Sequence, residues 1–229
     1  STLFPYTTLF RSGSWNFRRV QFTPDVVPSD ITGFTMYNKD TGKFSYVQGA
    51  AMCNFLLADE INRTSSKTQS ALLQVMQEGN ITVDGRTYKI PDPFIVMATQ
   101  NPIGATGTQI LPEAQLDRFM IQISMGYPDS KAQLQILRDR SGSDPLDQIR
   151  AVVNAGDINQ MKQQVKMTYV DDKIYMYITS LAEATRNHKY IKLGISPRGA
   201  IALADMAKAD AFVKGMNRSE EHTSELQSR

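Results

Sequence analysis

The segment Asn54-Phe-Leu-Leu-Ala58 is an apolar run of strand length that ends directly in two acidic residues, Asp59 and Glu60. A strand with one face in water alternates apolar and polar residues, whereas an unbroken run is typical of a strand buried on both faces of a parallel sheet. A second such run, Phe94-Ile-Val-Met-Ala98, is followed by Thr99-Gln100-Asn101. The sequence therefore predicts an α/β fold with a parallel sheet.

The composition narrows the class of protein further. The chain has 229 residues, 41% of them hydrophobic, and a net charge of +2, which argues against a DNA-coating protein. Its single cysteine, Cys53, cannot form an intramolecular disulfide, which indicates a reducing, cytoplasmic compartment. No apolar stretch approaches the roughly 20 residues that span a bilayer, so we expect no direct membrane insertion.

Both ends of the chain read as foreign to the protein. Residues Thr2 to Ser12, TLFPYTTLFRS, match the translation of a short-read sequencing adapter, and RSEEHTSELQS from Arg218 resembles the opposing adapter. We therefore expect residues 1–12 and 218–229 to be adapter-derived artefacts. Residues 13–217 are then expected to be a fragment of a longer coding region.

The order of predicted elements is strand, helix, strand, helix, strand, followed by helices alone. Beyond the polar linker at Ser141–Pro145 no comparable strand pattern occurs, which predicts a second, all-helical domain. Turn residues at Asn38–Gly42 and at Asp84-Gly85 predict two hairpins. The predicted strands are Phe17–Phe22, Asn54–Ala58, Phe94–Ala98 and Ile121–Met125, and the predicted helices are Ser66–Gln77, Pro112–Phe119, Ser130–Arg140, Ile158–Val165, Asp171–Asn187 and Pro197–Met206.

The carboxyl edge of the predicted sheet carries the residues best suited to chemistry. There Asp59 could hold magnesium while Glu60 orients or deprotonates a water, and Asn101 could position that water or a phosphate. Arg118 is a rigid cation suited to a transferring phosphoryl group. Each residue also has a plain structural explanation: acidic residues favour helix starts, Asn before Pro fills turns, and Arg118 could pair with Asp117 at the surface.

Four motifs in this order, LLADEINR, ATQNP, LPEAQLDRF and SPRG, together resemble the MoxR family of AAA+ ATPases. The segments FRRVQFTPDVVPSDITG and KTQSALLQVMQEGNITVDG are similar to the family as well, so the resemblance covers nearly all of 13–217. It implies a partial AAA+ P-loop NTPase core at 13–142, a parallel sheet with helices and inserted hairpins, and a small all-α lid domain at 143–217.

The resemblance also implies roles for individual residues. Asp59 would bind magnesium in the Walker B strand, with Glu60 as catalytic base. Asn101 would be sensor 1, Arg118 the arginine finger that reaches a neighbouring subunit's nucleotide, and Arg198 in Ser-Pro-Arg-Gly sensor 2. The implied cofactors are ATP and Mg2+, and the implied partners are further copies in a homo-oligomeric ring, a hexamer, and a client protein such as one with a von Willebrand factor A domain.

One motif of such ATPases is absent from the sequence. No G-x-x-x-x-G-K-[ST] loop occurs, so this chain lacks the backbone cradle and the lysine that hold nucleotide phosphates. We expect this chain to bind ATP poorly and the intact protein to be an ATPase coupled to chaperone-like remodelling of a partner. Two alternatives are a nucleotide-dependent DNA motor or loader, which the near-neutral charge disfavours, and a non-hydrolysing scaffold.

Overall fold

The computed structural model describes residues 15–101, 111–124, 126–139 and 153–216. The chain divides into two compact units, of which the first contains residues up to 111 together with 124–158. The second unit contains 112–123 and the residues from 159 onward. The adapter-like ends at 1–12 and 218–229, and the predicted linker at 141–145, lie outside the described residues.

A three-stranded parallel sheet forms the centre of the first unit. Its strands are β1 (Phe17–Gln21), β4 (Phe55–Asp59) and β7 (Ile95–Ala98), in the order β1-β4-β7. The middle strand β4 is buried along its whole apolar run, as its unbroken hydrophobicity predicts. The same prediction is wrong for β7, which lies at the edge of the described sheet and leaves Ile95 and Met97 each 37% exposed. Parallel pairing brings the carboxyl ends of β4 and β7 to one edge of the sheet.

Helix α2 (Ser66–Glu78) follows β4 and packs against the core of the first unit. It begins at Ser65, whose side chain accepts a hydrogen bond from the Thr68 amide, and ends at Gly79 in the left-handed conformation. Leu72 and Leu73 are buried, which confirms the predicted apolar face. Upstream lies a five-residue helix, α1 (Pro28–Thr32).

Both predicted hairpins are present. The first pairs β2 (Gly33–Asn38) with β3 (Lys43–Gln48), and the second pairs β5 (Asn80–Val83) with β6 (Arg86–Lys89). Asp84 and Gly85 have φ of 48° and 75°, the two positive values that a tight hairpin turn of this kind requires. The Tyr46 and Tyr88 rings stack with centroids 3.9 Å apart, which joins the two hairpins.

The remaining elements are helical. They are α3 (Glu113–Leu116), α4 (Ser130–Asp139), α5 (Ala155–Met167), α6 (Asp172–Arg186) and α7 (Pro197–Val213). Helix α7 runs past the predicted end at Met206 because no helix breaker occurs before Gly215, which has φ of 71°. None of the helices in the described part of the chain combines the length and apolar character needed to cross a bilayer.

The predicted strand at Ile121–Met125 is not found. Residues 121–124 form no strand, Ile121 and Ile123 are 61% and 82% exposed, and Met125 lies outside the described residues. Alternation of apolar residues favours a strand only when a neighbouring strand supplies backbone partners. No described strand pairs with this segment.

Candidate functional site

Asp59 is the last residue of β4, and two side chains from other strands hold its carboxylate. The Arg19 guanidinium on β1 donates to Oδ2 at 2.6 Å, and the Thr99 hydroxyl, just after β7, donates to Oδ1 at 2.6 Å. Partial burial raises the pKa of Asp59, but the hydrogen bonds from Thr99 and Arg19 outweigh it and hold that pKa below its usual value. The carboxylate is therefore ionised at neutral pH.

Glu60 adopts an unusual backbone conformation directly after the strand. Its φ and ψ are 56° and 46°, in the left-handed region that a residue with a side chain rarely occupies. The Thr99 hydroxyl accepts a hydrogen bond from the Glu60 amide at 2.9 Å, and the Thr99 carbonyl accepts one from the Ile61 amide at 3.0 Å. Strain of this kind is retained where the surrounding structure enforces it, and it concentrates at functional sites.

The Glu60 side chain is held from its other side. Arg63, in the short 3-10 helix Ile61–Arg63, donates to the Glu60 carboxylate at 2.7 Å. Thr99 and Arg63 together fix both ends of the residue, and the Thr99 hydroxyl contacts Asp59 and Glu60 at once. The two acidic residues form one organised pair at the carboxyl edge of the sheet.

Asn101 is brought to the same edge by Asn62. The Asn62 amide donates to the Asn101 carbonyl at 3.0 Å, and its Oδ1 accepts from the Asn101 backbone amide at 3.3 Å. Asn62 is 1% exposed and lies two residues after Glu60, so it connects the segments that follow β4 and β7. The structure therefore brings together three of the predicted residues, Asp59, Glu60 and Asn101.

The two predicted arginines lie in the second unit. Arg118 follows the short helix α3 and is exposed, and Arg198 is the second residue of α7 and is exposed as well. Asp117 forms no ion pair with Arg118 in the described part of the chain; its carboxylate accepts a hydrogen bond from the Ser196 hydroxyl. The surface ion pair considered as the plain explanation of Arg118 is thus not formed.

Four residues of this site were missed by reading the sequence: Arg19, Asn62, Arg63 and Thr99. Thr99 had a usable signal, because it is the first polar residue after an apolar strand that neighbours β4. Arg63 had one as well, since it follows Glu60 by three residues, the spacing at which side chains meet on a helical turn. Arg19 and Asn62 depend on strand register and loop geometry, which the sequence alone does not specify.

Comparison with known proteins identifies the chain. The sequence model of the ATPase family associated with various cellular activities (AAA) matches residues 5–121, and that of the AAA lid domain matches residues 183–220. Chaperone MoxR1 of Mycobacterium tuberculosis is 39% identical over 217 residues, covering 91% of this chain and 57% of its own length. The chain belongs to the MoxR family of AAA+ ATPases.

Two further relatives of this MoxR-family chain agree with the assignment. YeaC, a protein of uncharacterised function from Bacillus subtilis, is 48% identical over 205 residues, covering 90% of this chain and 64% of its own. The crystal structure of a proposed ATPase from Cytophaga hutchinsonii superposes with a TM-score of 0.82 at 38% identity, covering 93% of this chain and 67% of that one. The predicted AAA+ fold, a parallel sheet with helices and a helical lid region, is confirmed.

This MoxR-family chain matches part of the length of its relatives. The chain spans 64% and 57% of the length of the first two relatives, so it corresponds to part of each. Within the described residues no group of three or more His, Cys, Asp or Glu side chains converges as a metal-binding set.

Proposed function

We propose that the intact protein hydrolyses ATP and uses the energy for chaperone-like remodelling of a partner protein, with Asp59 and Glu60 as the reacting centre. The observation that carries this proposal lies at the carboxyl edge of a parallel sheet, where the Thr99 hydroxyl donates to the Asp59 carboxylate and accepts from the Glu60 backbone amide. Ligands of open α/β sheets bind at this edge. Membership in an ATPase family supports the same conclusion.

Asp59 is the residue that would hold magnesium. Its depressed pKa keeps it ionised, and magnesium is commonly held by one or two carboxylates together with substrate phosphates and water. Its Oδ2 is bound by Arg19, whose side chain is 35% exposed and would have to turn toward solvent for a cation to bind that oxygen. When bound, the ion neutralises charge on the β- and γ-phosphates of ATP.

Glu60 and Asn101 would act on the attacking water. Glu60 follows Asp59 directly, but the two carboxylates have different partners: Arg63 binds that of Glu60, whereas Arg19 binds that of Asp59. This separation suits a division of labour in which Asp59 serves the metal and Glu60 accepts a proton from water. The Asn101 side-chain amide, carried on backbone that Asn62 anchors, would orient the water or the γ-phosphate.

Arg118 and Arg198 would supply the positive charge that stabilises the phosphates of ATP. Arg198 is exposed in the first turn of α7, and its phosphate-binding role rests on the resemblance of Ser-Pro-Arg-Gly to the family. Arg118 is exposed and would reach the nucleotide of the adjacent subunit in a ring of identical subunits, for which we propose a hexamer.

The proposal is tested by separating nucleotide binding from hydrolysis in the intact protein. Glu60→Gln should keep the affinity for ATP with magnesium while slowing turnover by at least about 100-fold, since the general base is lost. Asp59→Asn should instead weaken the magnesium-dependent part of ATP binding. Glu78→Gln, at the exposed end of α2, is the matched control and should change neither. Normal turnover in Glu60→Gln would overturn the proposal.

Action of Arg118 between subunits has its own test. Glu60→Gln and Arg118→Ala should each slow turnover by at least about 100-fold alone, and mixing the two variants should restore part of it. In a mixed ring, an Arg118→Ala subunit keeps its own Glu60 and receives Arg118 from its Glu60→Gln neighbour. Absence of any recovery in verified mixed rings would place Arg118 outside the neighbouring site.

We propose a client protein with a von Willebrand factor A domain as the partner, which rests on the sequence resemblance to the MoxR family. We propose the cytoplasm as the compartment, which rests on the single cysteine of the chain. Co-purification of the intact Glu60→Gln protein, locked with ATP, should enrich such a client over the wild-type protein. An equal yield of client with and without ATP would contradict nucleotide-coupled remodelling.

A further inference from the structure

A hydrogen bond between Asp117 and Ser196 joins the two arginine-bearing segments of the second unit. The Ser196 hydroxyl donates to Asp117 Oδ1 at 2.6 Å, across 79 positions of the chain. The same hydroxyl oxygen accepts from the Gly199 amide at 2.9 Å and so caps the N-terminus of α7. Asp117 immediately precedes Arg118, and Ser196 precedes Arg198 by two positions. We refer to this hydrogen bond as the Asp117–Ser196 link.

The surroundings of the Asp117–Ser196 link stabilise it. The Asp117 carboxylate sits at the positive end of the α7 dipole, where a negative charge is stabilised. A Cβ added to Gly199 would lie 3.1 Å from Ile195 Cγ2 and 3.9 Å from Asp117 Oδ1, so the carboxylate packs closely on the first turn of the helix. Both link residues are partly buried, whereas Arg118 and Arg198 are exposed.

The segment that carries Arg118 has little regular secondary structure of its own. Helix α3 has four residues, and the turn after it is closed by local backbone bonds, such as Phe119 N to Leu116 O at 2.9 Å. A single helical turn is marginal without tertiary support. The Asp117–Ser196 link supplies such support from α7, a helix of 17 residues.

We infer that Asp117 is a positioning residue that fixes Arg118 to the helix start bearing Arg198, so that the two arginines move as one body. The inference rests on the proposed function, in which both arginines act on nucleotide phosphates. Displacement of the α7 N-terminus when a phosphate contacts Arg198 would then be passed to Arg118 through the Asp117–Ser196 link. The nucleotide of one subunit would thereby set the position of the arginine offered to the next.

The physical link is tested on this chain without nucleotide, by amide hydrogen exchange. Ser196→Ala should speed exchange at Asp117, Arg118 and Phe119 about tenfold, the loss expected for one hydrogen bond to a charged group. Ser196→Thr, which keeps the hydroxyl, should leave these amides protected. Asp205→Ala, an exposed carboxylate on α7, is the control. Unchanged exchange in Ser196→Ala would overturn the link itself.

The positioning role of Asp117 is tested on the intact protein. Asp117→Ala should lower kcat about tenfold with the KM for ATP unchanged, and Asp117→Asn, which keeps an oxygen acceptor, should retain most of the turnover. Asp117→Ala combined with Arg118→Ala should be no slower than Arg118→Ala alone, because Asp117 acts through Arg118. Additive losses would overturn the positioning role. Full turnover in Arg118→Ala would instead refute the proposed function. The hydrogen-exchange result does not depend on turnover and would still test the Asp117–Ser196 link.

Discussion

Replacing Thr99 with valine removes one hydroxyl and keeps the shape of the side chain. That hydroxyl donates to Asp59 at 2.6 Å and accepts from the Glu60 amide at 2.9 Å. A hydrogen bond to a charged group contributes about 1.5–3 kcal/mol and a neutral one about 0.5–1.5 kcal/mol. The Asp59 side chain is 24% exposed, so water can replace part of the lost hydrogen bonding, and the lower end of each range applies. We expect Thr99→Val to lower the free energy of unfolding by about 2 kcal/mol.

The sole tryptophan provides the assay. Trp15 is 8% exposed and packs with Phe55 and Leu57 of β4, so its fluorescence reports on unfolding of the first unit. With a urea dependence of about 2 kcal/mol per M, the midpoint should fall by about 1 M. In an Asp59→Asn background, Thr99→Val should lower the free energy of unfolding by clearly less, because the charged acceptor of the Thr99 hydroxyl is gone.

A matched substitution controls for the change of residue type. Thr82 and Thr87 face each other across the second hairpin in an exposed hydroxyl pair 3.0 Å apart. Thr82→Val should cost under about 0.5 kcal/mol, as exposed sites usually do. Equal midpoints for Thr99→Val and Thr82→Val would refute the claim that the Thr99 hydroxyl organises the acidic pair.

Three further predictions concern single side chains. The pKa of Asp59 is lower in the folded protein than in the unfolded chain, so the ionised carboxylate stabilises the fold above the unfolded pKa, and this stabilisation is lost as the pH falls through the folded pKa. The difference in urea midpoint between the wild type and Asp59→Asn should therefore narrow between about pH 6 and pH 3. Burial raises the pKa of Cys53 to about 11, so iodoacetamide at pH 8 should label it about 100-fold more slowly than free cysteine. Leu72→Ala should cost about 3 kcal/mol in urea unfolding, because Leu72 is fully buried.

The sheet and the acidic pair were predictable from sequence because their signals are local. Unbroken apolar runs ending in Asp59 and in Thr99 predict parallel strands, and parallel strands place their carboxyl ends together. The expected burial is confirmed for β4 and is wrong for β7, where Ile95 and Met97 are each 37% exposed. The hairpin at Asp84-Gly85 was predictable for the same reason, since its two positive φ values suit these residue types.

The partners of the acidic pair were not predictable. The contact between Arg19 and Asp59 spans 40 positions and depends on the register in which Gln21 lies opposite Asp59. The left-handed conformation of Glu60 is imposed by Thr99 and Arg63 and has no signature in its own residue type. The strand expected at 121–125 failed because alternation alone cannot supply a pairing partner.

A crystal structure of the intact Glu60→Gln protein with ATP and magnesium would test the proposed roles of the acidic pair most directly. We expect the ion to be bound by the Asp59 carboxylate, directly at about 2.1 Å or through one water, with the γ-phosphate facing residue 60 and Asn101. A nucleotide bound away from the carboxyl ends of β4 and β7, with the Arg19–Asp59 pair undisturbed, would contradict these roles.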